Sequence, residues 1–246
     1  YTNIFKASET KILDQEELEA AQTVMSKDLY DQEFECSFQA AITGSYYGKI
    51  IEGLEKGGKV SEVPYDDNLG VETWWDLGLK DSTAIWFVQK HRDELRVIDY
   101  YENSGEGLDF YADILDSKPY KYDRHIAPHD IKVRELGAFG KSRLESALEL
   151  GISFDVAPKL SIEDGIEIVR KSLATCIFDK NKCYKGVEAL KAYQKKWDEK
   201  NQCFKNRPTH NYASHPSDAF RTGCTFIGGK VTDWKKPVKV DTAYII

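Results

Sequence analysis

Residues 71–90, with the sequence VETWWDLGLKDSTAIWFVQK, constrain the fold more than any other stretch of this chain. β-Branched and aromatic side chains dominate on both sides of a glycine, which predicts two strands joined by a tight turn at residues 78–80. Asp76 ends the first apolar run, where a carboxylate is costly to bury unless it is paired or bound to a cation. Two interpretations follow for Asp76: a turn aspartate that caps the hairpin, or a metal-binding aspartate presented by the central strand of a sheet.

The bulk composition narrows the class of protein. The 246 residues carry a formal net charge of −7, which argues against general electrostatic binding of nucleic acid or of an anionic membrane surface. A local basic groove beside an acidic metal site stays compatible with this charge, because cations neutralise clustered carboxylates. The chain is long enough for one large domain, or for one domain with an appendage.

Cysteine usage and hydropathy indicate the compartment. The 5 cysteines include no C-x-x-C pair, so a disulfide framework and a cysteine zinc site are both weakly supported and a reducing compartment is expected. No apolar run approaches about 18 residues and no signal peptide is visible, so we expect an intracellular protein without membrane contact. The chain starts at Tyr1 with its pattern already under way, as in a piece of a longer polypeptide.

Three parts are predicted along the chain: an arm or the tail of an upstream domain, a main domain, and a polar tail without assigned structure. The arm carries a helical pattern at residues 12–26 with Asp14 as its cap, and a second helix ended by Gly57 and Gly58. A short strand is expected between these helices, at residues 30–38. The predicted bounds of the three parts are residues 1–60, 61–228 and 229–246.

The predicted order of elements in the main domain is β-β-β-α-β-α-β-α-α-α. The strands are expected at residues 72–77, 82–89, 94–101, 124–127 and 152–156. The helices are expected at residues 108–115, 141–150, 162–175, 187–200 and 214–226. Short turns make the first three strands antiparallel, and crossover helices make the fourth and fifth strands parallel to the first. The expected fold is an α/β mixed five-stranded sheet with helices on its faces.

Three acidic residues stand out by their positions in this scheme. Asp76 ends the first strand, Asp130 follows the fourth strand in the sequence IAPHDI, and Asp218 lies in the first turn of the last helix in SHPSDAFR. Taken singly, Asp130 is equally well a turn residue, and Asp218 is equally well an acid favoured by the helix dipole. Together they are candidates for one site, because the carboxyl ends of neighbouring parallel strands lie side by side.

Such a set of carboxylates suits a particular chemistry. Hard divalent cations prefer oxygen ligands, and Mg²⁺ takes only a few carboxylates while keeping several waters. Two such ions, about 3.5–4 Å apart, activate a water and stabilise the leaving oxygen when a phosphodiester is cleaved. The three acids therefore indicate a candidate two-metal hydrolase.

Three blocks of this sequence resemble the nuclease domain of tailed-bacteriophage terminase large subunits. The blocks are DLGLKDSTAIWFVQ, IAPHDIKVRELGAFGKSRLESALELGISFDVAP and SHPSDAFR. The segment QEFECSFQAAITGSYYGKIIE also resembles the one that joins the packaging ATPase to the nuclease in those proteins. The resemblance covers roughly residues 10–225, and the three blocks together make it specific.

The resemblance implies an RNase H-like fold of the retroviral-integrase superfamily and a metal-dependent endonuclease that cuts concatemeric viral DNA during packaging. Asp76, Asp130 and Asp218 match the metal-ligand positions, with Asp76 bridging two Mg²⁺ or Mn²⁺ ions. The implied partners are double-stranded DNA, the terminase small subunit, the portal and an ATPase domain of the same polypeptide, in the host-cell cytoplasm. The sequence contains no G-x-x-x-x-G-K-[ST] motif, so we expect the nuclease half without the motor ATPase.

Several other residues are candidates for auxiliary roles. His129 and His215 neighbour two of the acids and are interpreted either as groups that orient a water, a phosphate or a carboxylate, or as polar loop residues. Asp81 is interpreted either as an outer acid of the site or as the turn-stabilising partner of Ser82. A basic cluster after the fourth strand is either a track for the DNA backbone or a solvated loop; it consists of Lys132, Arg134, Lys141 and Arg143.

Three alternative functions stay open at this point. Asp76 and Gly78, followed by Ser82 and Thr83, resemble the first phosphate loop of actin/hexokinase-type phosphotransferases, although no second such loop occurs. A non-enzymatic module that docks on a portal or motor is another interpretation, in which the acids only cap turns and helices. Junction-resolving nucleases share the expected fold and are an alternative within the same chemistry.

Overall fold

The computed structural model describes residues 7–10, 13–24, 44–78, 81–133, 141–201 and 203–232. Its centre is a seven-stranded mixed sheet. In chain order the strands are β1 (Val60–Ser61), β2 (Val71–Asp76), β3 (Ser82–His91), β4 (Glu94–Ser104), β5 (Tyr122–Ala127), β6 (Phe154–Val156) and β7 (Cys176–Asp179).

The strand order across the sheet is β1-β7-β4-β3-β2-β5-β6. β2, β3 and β4 pair antiparallel, while β5 pairs parallel with β2 and β6 pairs parallel with β5. This arrangement confirms the predicted α/β, RNase H-like class, with three antiparallel strands followed by two parallel ones. The sheet is wider than predicted, because the four-residue strand β7 pairs parallel with β4 and carries β1 on its outer edge.

The helices lie around this sheet. They are α1 (Ala7–Thr10), α2 (Gln15–Val24), α3 (Gly48–Lys56), α4 (Leu108–Ser117), α5 (Arg143–Glu149), α6 (Ile162–Leu173), α7 (Tyr184–Ala192) and α8 (Ser214–Thr232). A 3₁₀ helix (His129–Lys132) follows β5. The predicted cap of α2 is confirmed, since the backbone N–H of Glu17 donates to Asp14 Oδ1 at 2.8 Å. α3 ends at Lys56 with Gly57 as its C-cap, which agrees with the predicted glycine stop.

The adjacent tryptophans of β2 build the two cores of the domain. Successive residues of a strand face opposite sides of the sheet, so Trp74 and Trp75 enter different hydrophobic clusters. Trp74 packs edge-on against Phe220 of α8, with ring centroids 5.3 Å apart. Trp75 packs edge-on against Phe154 of β6, at 5.2 Å. Both tryptophans are fully buried.

The predicted helix at residues 187–200 is wrong in its second half. α7 ends at Ala192, and the chain then forms a two-stranded antiparallel sheet of β8 (Lys195–Asp198) and β9 (Cys203–Pro208). Trp197 and Phe204 face each other across this hairpin, with ring centroids 4.8 Å apart. A cross-strand aromatic pair of this kind stabilises a hairpin. Phe204 lies beyond the predicted helix at residues 187–200, so the helical pattern of that segment did not include the strand partner of Trp197.

The three-part division of the chain stays a prediction. Tyr47 and Ile51, which belong to the predicted arm, are completely buried in the same hydrophobic cluster as Trp74. The predicted strand at residues 30–38 lies outside the described residues. Of the tail predicted at residues 229–246, residues 229–232 belong to α8 and the rest lies outside the described residues. In the part of the chain that the structure describes, no helix is long and apolar enough to span a membrane.

A buried hydrogen-bond chain crosses from β2 to β5. The indole N–H of Trp75 donates to Thr73 Oγ1 at 2.7 Å, and the Thr73 hydroxyl is 2.7 Å from His125 Nδ1. The Thr73 hydroxyl therefore joins the Trp75 indole of β2 to the His125 imidazole of β5. Burial lowers the pKa of His125 to about 4.

This shift predicts an acid-sensitive contribution to stability. The folded pKa of His125 is below its unfolded value of about 6.5, so the stabilisation is complete above that value and is lost as pH falls towards 4. Urea unfolding at pH 7.5 and pH 5 should show a loss of about 2 kcal/mol that the His125→Asn variant lacks. The exposed His91 offers a matched control: His91→Asn should keep the wild-type loss, and an unchanged pH dependence in His125→Asn would contradict the assignment.

Candidate metal and active site

Asp76 and His215 form the centre of the candidate site. Asp76 is the last residue of β2, and His215 lies in the first turn of α8, 139 residues further along the chain. His215 Nδ1 lies 2.9 Å from Asp76 Oδ2. A carboxylate only accepts hydrogen bonds, so His215 donates through Nδ1. This hydrogen bond raises the pKa of His215 above its ordinary value.

The start of α8 is held in place by buried contacts. The indole N–H of the buried Trp86 in β3 donates to the carbonyl of Pro216 at 2.8 Å. Just upstream, the side-chain oxygen of Asn211 accepts from the backbone N–H of Ala213, and Ser214 Oγ accepts from the N–H of Asn211. These bonds anchor the first turn of the helix against the centre of the sheet. The position of His215 therefore follows from the core as well as from its contact with Asp76.

Asp218 enters the same site from the next turn of α8. Its Oδ1 is 3.1 Å from a terminal nitrogen of Arg221 and accepts a longer hydrogen bond, 3.4 Å, from the hydroxyl of Tyr193. Although one-third of the side chain is exposed, the surrounding protein raises the pKa of Asp218 to about 6. Burial is the main cause, the Arg221 charge opposes it, and the neighbouring charge of Asp76 adds to it. The negative charges of Asp76 and Asp218 are thus near enough to repel each other.

Asp130 lies at the same rim of the sheet, in the 3₁₀ helix that follows β5. β2 and β5 are parallel neighbours with Trp74 opposite Ile126, so Asp76 and the residues after Ala127 extend from the same end of the sheet. Asp130 and its neighbour His129 are exposed in the 3₁₀ helix that follows. In the described part of the chain, the ligand atoms that cluster within 4.8 Å come from Asp81, His210 and His215, so Asp76, Asp130 and Asp218 all lie outside that cluster. Its role as a ligand stays a prediction.

The predicted basic cluster is spread over different environments. Lys132 is exposed in the 3₁₀ helix, Arg134 lies outside the described residues, and Lys141 forms a 2.6 Å ion pair with Glu149. Arg143 donates to the carbonyl of Leu77 at 2.9 Å, directly after Asp76. Arg143 is therefore the member of the predicted set that the structure places beside the candidate site.

The start of α5 explains the position of Arg143. Ser142 and Glu145 form a capping box, in which the Ser142 hydroxyl accepts from the backbone N–H of Glu145 and the Glu145 carboxylate accepts from the N–H of Ser142. This box defines the first residue of the helix as Arg143. The predicted helix at residues 141–150 is confirmed with slightly shorter bounds.

A second group of ligand-type side chains lies next to Asp76. One potential ligand atom from each of Asp81, His210 and His215 lies within 4.8 Å of the others. Asp81 lies close to Gly78 in the hairpin turn. A Cβ added to Gly78 would fall only 2.9 Å from the carbonyl carbon of Asp81. Asp81 and His215 were predicted as auxiliary residues, but His210 was missed. The available signal was the sequence HNYASH, in which two histidines flank the loop before the last helix.

A polar cleft of about 630 Å³ lies along the same rim of the sheet. It is bounded by Ser82 at the start of β3 and by residues at the carboxyl end of β4. On its other side are Lys182, Tyr184 and Lys185, which follow β7. These three residues were missed as cleft residues, because their place at this rim depends on β7, which was not predicted.

The fold and the donor atoms together define an α/β protein with a carboxylate-rich candidate metal site at the carboxyl end of its central strand. Oxygen donors from Asp76 and Asp218 suit hard divalent cations such as Mg²⁺ and Mn²⁺. A bound cation would also offset the repulsion between these two carboxylates. The residues present therefore fit a divalent metal.

The chain has the fold of large terminase nuclease domains. The P22 large terminase nuclease domain superposes with a TM-score of 0.57 at 18% identity, over 76% of this chain and 94% of that one. The large terminase of a thermophilic bacteriophage superposes with a TM-score of 0.56 at 16% identity, over 89% of this chain and 54% of that one. The chain thus spans about half the length of the thermophilic phage protein. No family model and no curated protein matches the sequence.

Proposed function

We propose that this chain is the nuclease part of a viral large terminase and cuts concatemeric viral DNA during genome packaging by metal-dependent phosphodiester hydrolysis. The observation that carries the proposal is the contact between Asp76 at the end of β2 and His215 in the first turn of α8, with Asp218 one turn further along the same helix. The fold shared with the P22 nuclease domain supports the same function.

Each acidic residue has a distinct role in this proposal. Asp76 would hold both ions, while Asp130 and Asp218 would each complete the ligands of one. Bound Mg²⁺ or Mn²⁺ would supply Lewis-acid stabilisation of the phosphodiester and a nucleophile from water at neutral pH. The side chains of the chain therefore act as ligands, and none of them is required to attack the phosphorus.

The neighbouring residues orient these acids. His215 donates to Oδ2 of Asp76 and leaves Oδ1 available to a cation. Arg221 holds Oδ1 of Asp218 in the same way, and its charge favours the ionised carboxylate that a metal requires. Ligands oriented by such outer contacts bind a metal in one geometry.

Double-stranded DNA is the proposed substrate. Arg143 lies beside the candidate site through its bond to the Leu77 carbonyl, and Lys182 and Lys185 line the cleft on the other side. Cations on both sides of an acidic centre suit a phosphate backbone that passes over it. Lys132, Lys141 and Arg134 stay proposed contacts further along the same track.

The packaging context adds proposed partners. A second structure of the thermophilic phage large terminase is a complex with ATP-gamma-S, and this chain covers 55% of that protein. We therefore place an ATPase domain in the same polypeptide as this chain, with the terminase small subunit and the portal as further partners in the host-cell cytoplasm.

Cleavage of a supercoiled plasmid tests the proposed function. The protein should nick and linearise the plasmid when MnCl₂ or MgCl₂ is present, and EDTA should stop the reaction. Contacts to the phosphate backbone carry no sequence information, so unrelated plasmids should be cut at comparable rates. An intact plasmid at high protein concentration with either metal would contradict nuclease activity of this chain.

A further inference from the structure

We infer that Asp81, His210 and His215 form a binding site for one transition-metal ion of the Zn²⁺ type, next to the carboxylate site but different from it in donor chemistry. One potential ligand atom from each residue lies within 4.8 Å of the others. In a tetrahedral zinc site with bonds of about 2.0–2.1 Å, neighbouring donors stand roughly 3.4 Å apart. Small side-chain rotations therefore bring these three groups to coordination distance.

The hydrogen bond between His215 and Asp76 prepares the imidazole for a metal. His215 donates through Nδ1 to Asp76 Oδ2, so the lone pair of the neutral ring is at Nε2. A carboxylate behind a histidine is the common outer contact of metal-ligating imidazoles, because it fixes the tautomer and raises the basicity of the ring. Asp76 performs this function for His215 through one of its two oxygens.

His210 is held at the site by the local backbone. His210 lies between Thr209 and Asn211, and Ser214 Oγ donates to the Thr209 carbonyl while it accepts from the Asn211 N–H. The rings of His210 and His215 meet edge-on, with centroids 5.6 Å apart. Asp81 and His210 are exposed, so an ion can reach them from solvent without opening the fold.

The donor set predicts which ions bind. Two imidazoles and one carboxylate favour Zn²⁺, Co²⁺ or Ni²⁺, whereas Mg²⁺ prefers oxygen ligands and dehydrates reluctantly. A solvent molecule is left to complete the ligands of the ion, since three protein groups provide only part of a tetrahedral set. The zinc site does not depend on the proposed nuclease function, because it concerns binding in the absence of DNA.

Calorimetric titration with ZnCl₂ tests the site. The exposed thiol of Cys203 could also bind zinc, so the titration uses the Cys203→Ser protein as its parent. We expect one Zn²⁺ per chain that excess Mg²⁺ does not displace, and an affinity at least about tenfold weaker in His210→Gln and in Asp81→Asn. His91→Gln, which changes an exposed histidine at the other end of β3, should leave the affinity unchanged.

Several results would overturn the site. These are no zinc binding by the parent protein, unchanged affinity in both His210→Gln and Asp81→Asn, equal loss in His91→Gln, and displacement of Zn²⁺ by Mg²⁺. Thermal melts without metal should agree among all variants, because the substituted side chains are exposed. Plasmid cleavage is measured separately, so zinc binding by a protein without nuclease activity would support this site and reject only the proposed function.

Discussion

The Asp76→Asn variant should lose Mn²⁺-dependent plasmid cleavage almost completely, with a rate roughly a thousandfold or more below that of the wild type. An amide is a poor ligand in place of the carboxylate that is proposed to hold both ions, and metal stabilisation of the transition state is worth several kcal/mol. The fold should persist, because the amide oxygen of asparagine still accepts the hydrogen bond from His215. Initial rates of plasmid nicking and the thermal midpoint of unfolding measure the two effects separately.

A matched control for this variant is Asp93→Asn. Asp93 is exposed in the turn between β3 and β4, at the end of those strands opposite to Asp76. It should keep wild-type cleavage, which shows that loss of one negative charge from the surface has no effect by itself. Wild-type cleavage by Asp76→Asn, with a metal requirement intact, would reject Asp76 as the central ligand.

The Gly223→Ala variant should be destabilised by about 3 kcal/mol or more. Gly223 lies in α8 where the helix crosses β2, and an added Cβ would fall 1.8 Å from an indole carbon of Trp74. Trp74 is fully buried and packs against Phe220, so it has no space to move and the helix must shift instead. Insertion of volume into a close-packed core costs about 1–3 kcal/mol or occasionally more, and this contact is severe. Urea unfolding monitored by tryptophan fluorescence measures the loss.

Gly53→Ala provides the opposite case in another helix. Gly53 lies within α3, and no atom outside its own helix and chain neighbours lies within 4 Å of an added Cβ. The alanine should therefore stabilise the protein by about 0.8–1 kcal/mol through its higher helix propensity. If both substitutions changed the free energy of unfolding in the same direction, close contact between α8 and Trp74 would not be the reason for the glycine at position 223.

Local pattern was sufficient to predict the central part of the fold. The β-branched and aromatic side chains of β2 and β3, and the glycine between them, predicted the hairpin. The order of strands and helices then determined which strands are parallel. β7 could not be predicted, because a strand of four residues directly after a helix is too short to show a recognisable pattern. Its pairing with β4 is also a contact between segments that are distant in sequence.

The candidate site was predictable only as separate residues. Asp76, Asp218 and His215 were each marked by position, but nothing in the sequence specifies the bond between Nδ1 of His215 and Asp76. That bond depends on Trp86 holding Pro216, which is a tertiary contact. His210 was missed for the same reason, because its proximity to Asp81 arises only when α8 packs on the sheet.

Diffraction from crystals soaked with MnCl₂, recorded near the manganese absorption edge, is the most direct measurement of the site, because anomalous peaks locate the ions. We expect at least one manganese peak within about 2.2 Å of an Asp76 carboxylate oxygen, with Asp218 or Asp130 as a further ligand of the same ion. Manganese peaks elsewhere on the protein, with no peak at Asp76 under saturating metal, would contradict the assignment of this rim of the sheet as the catalytic centre.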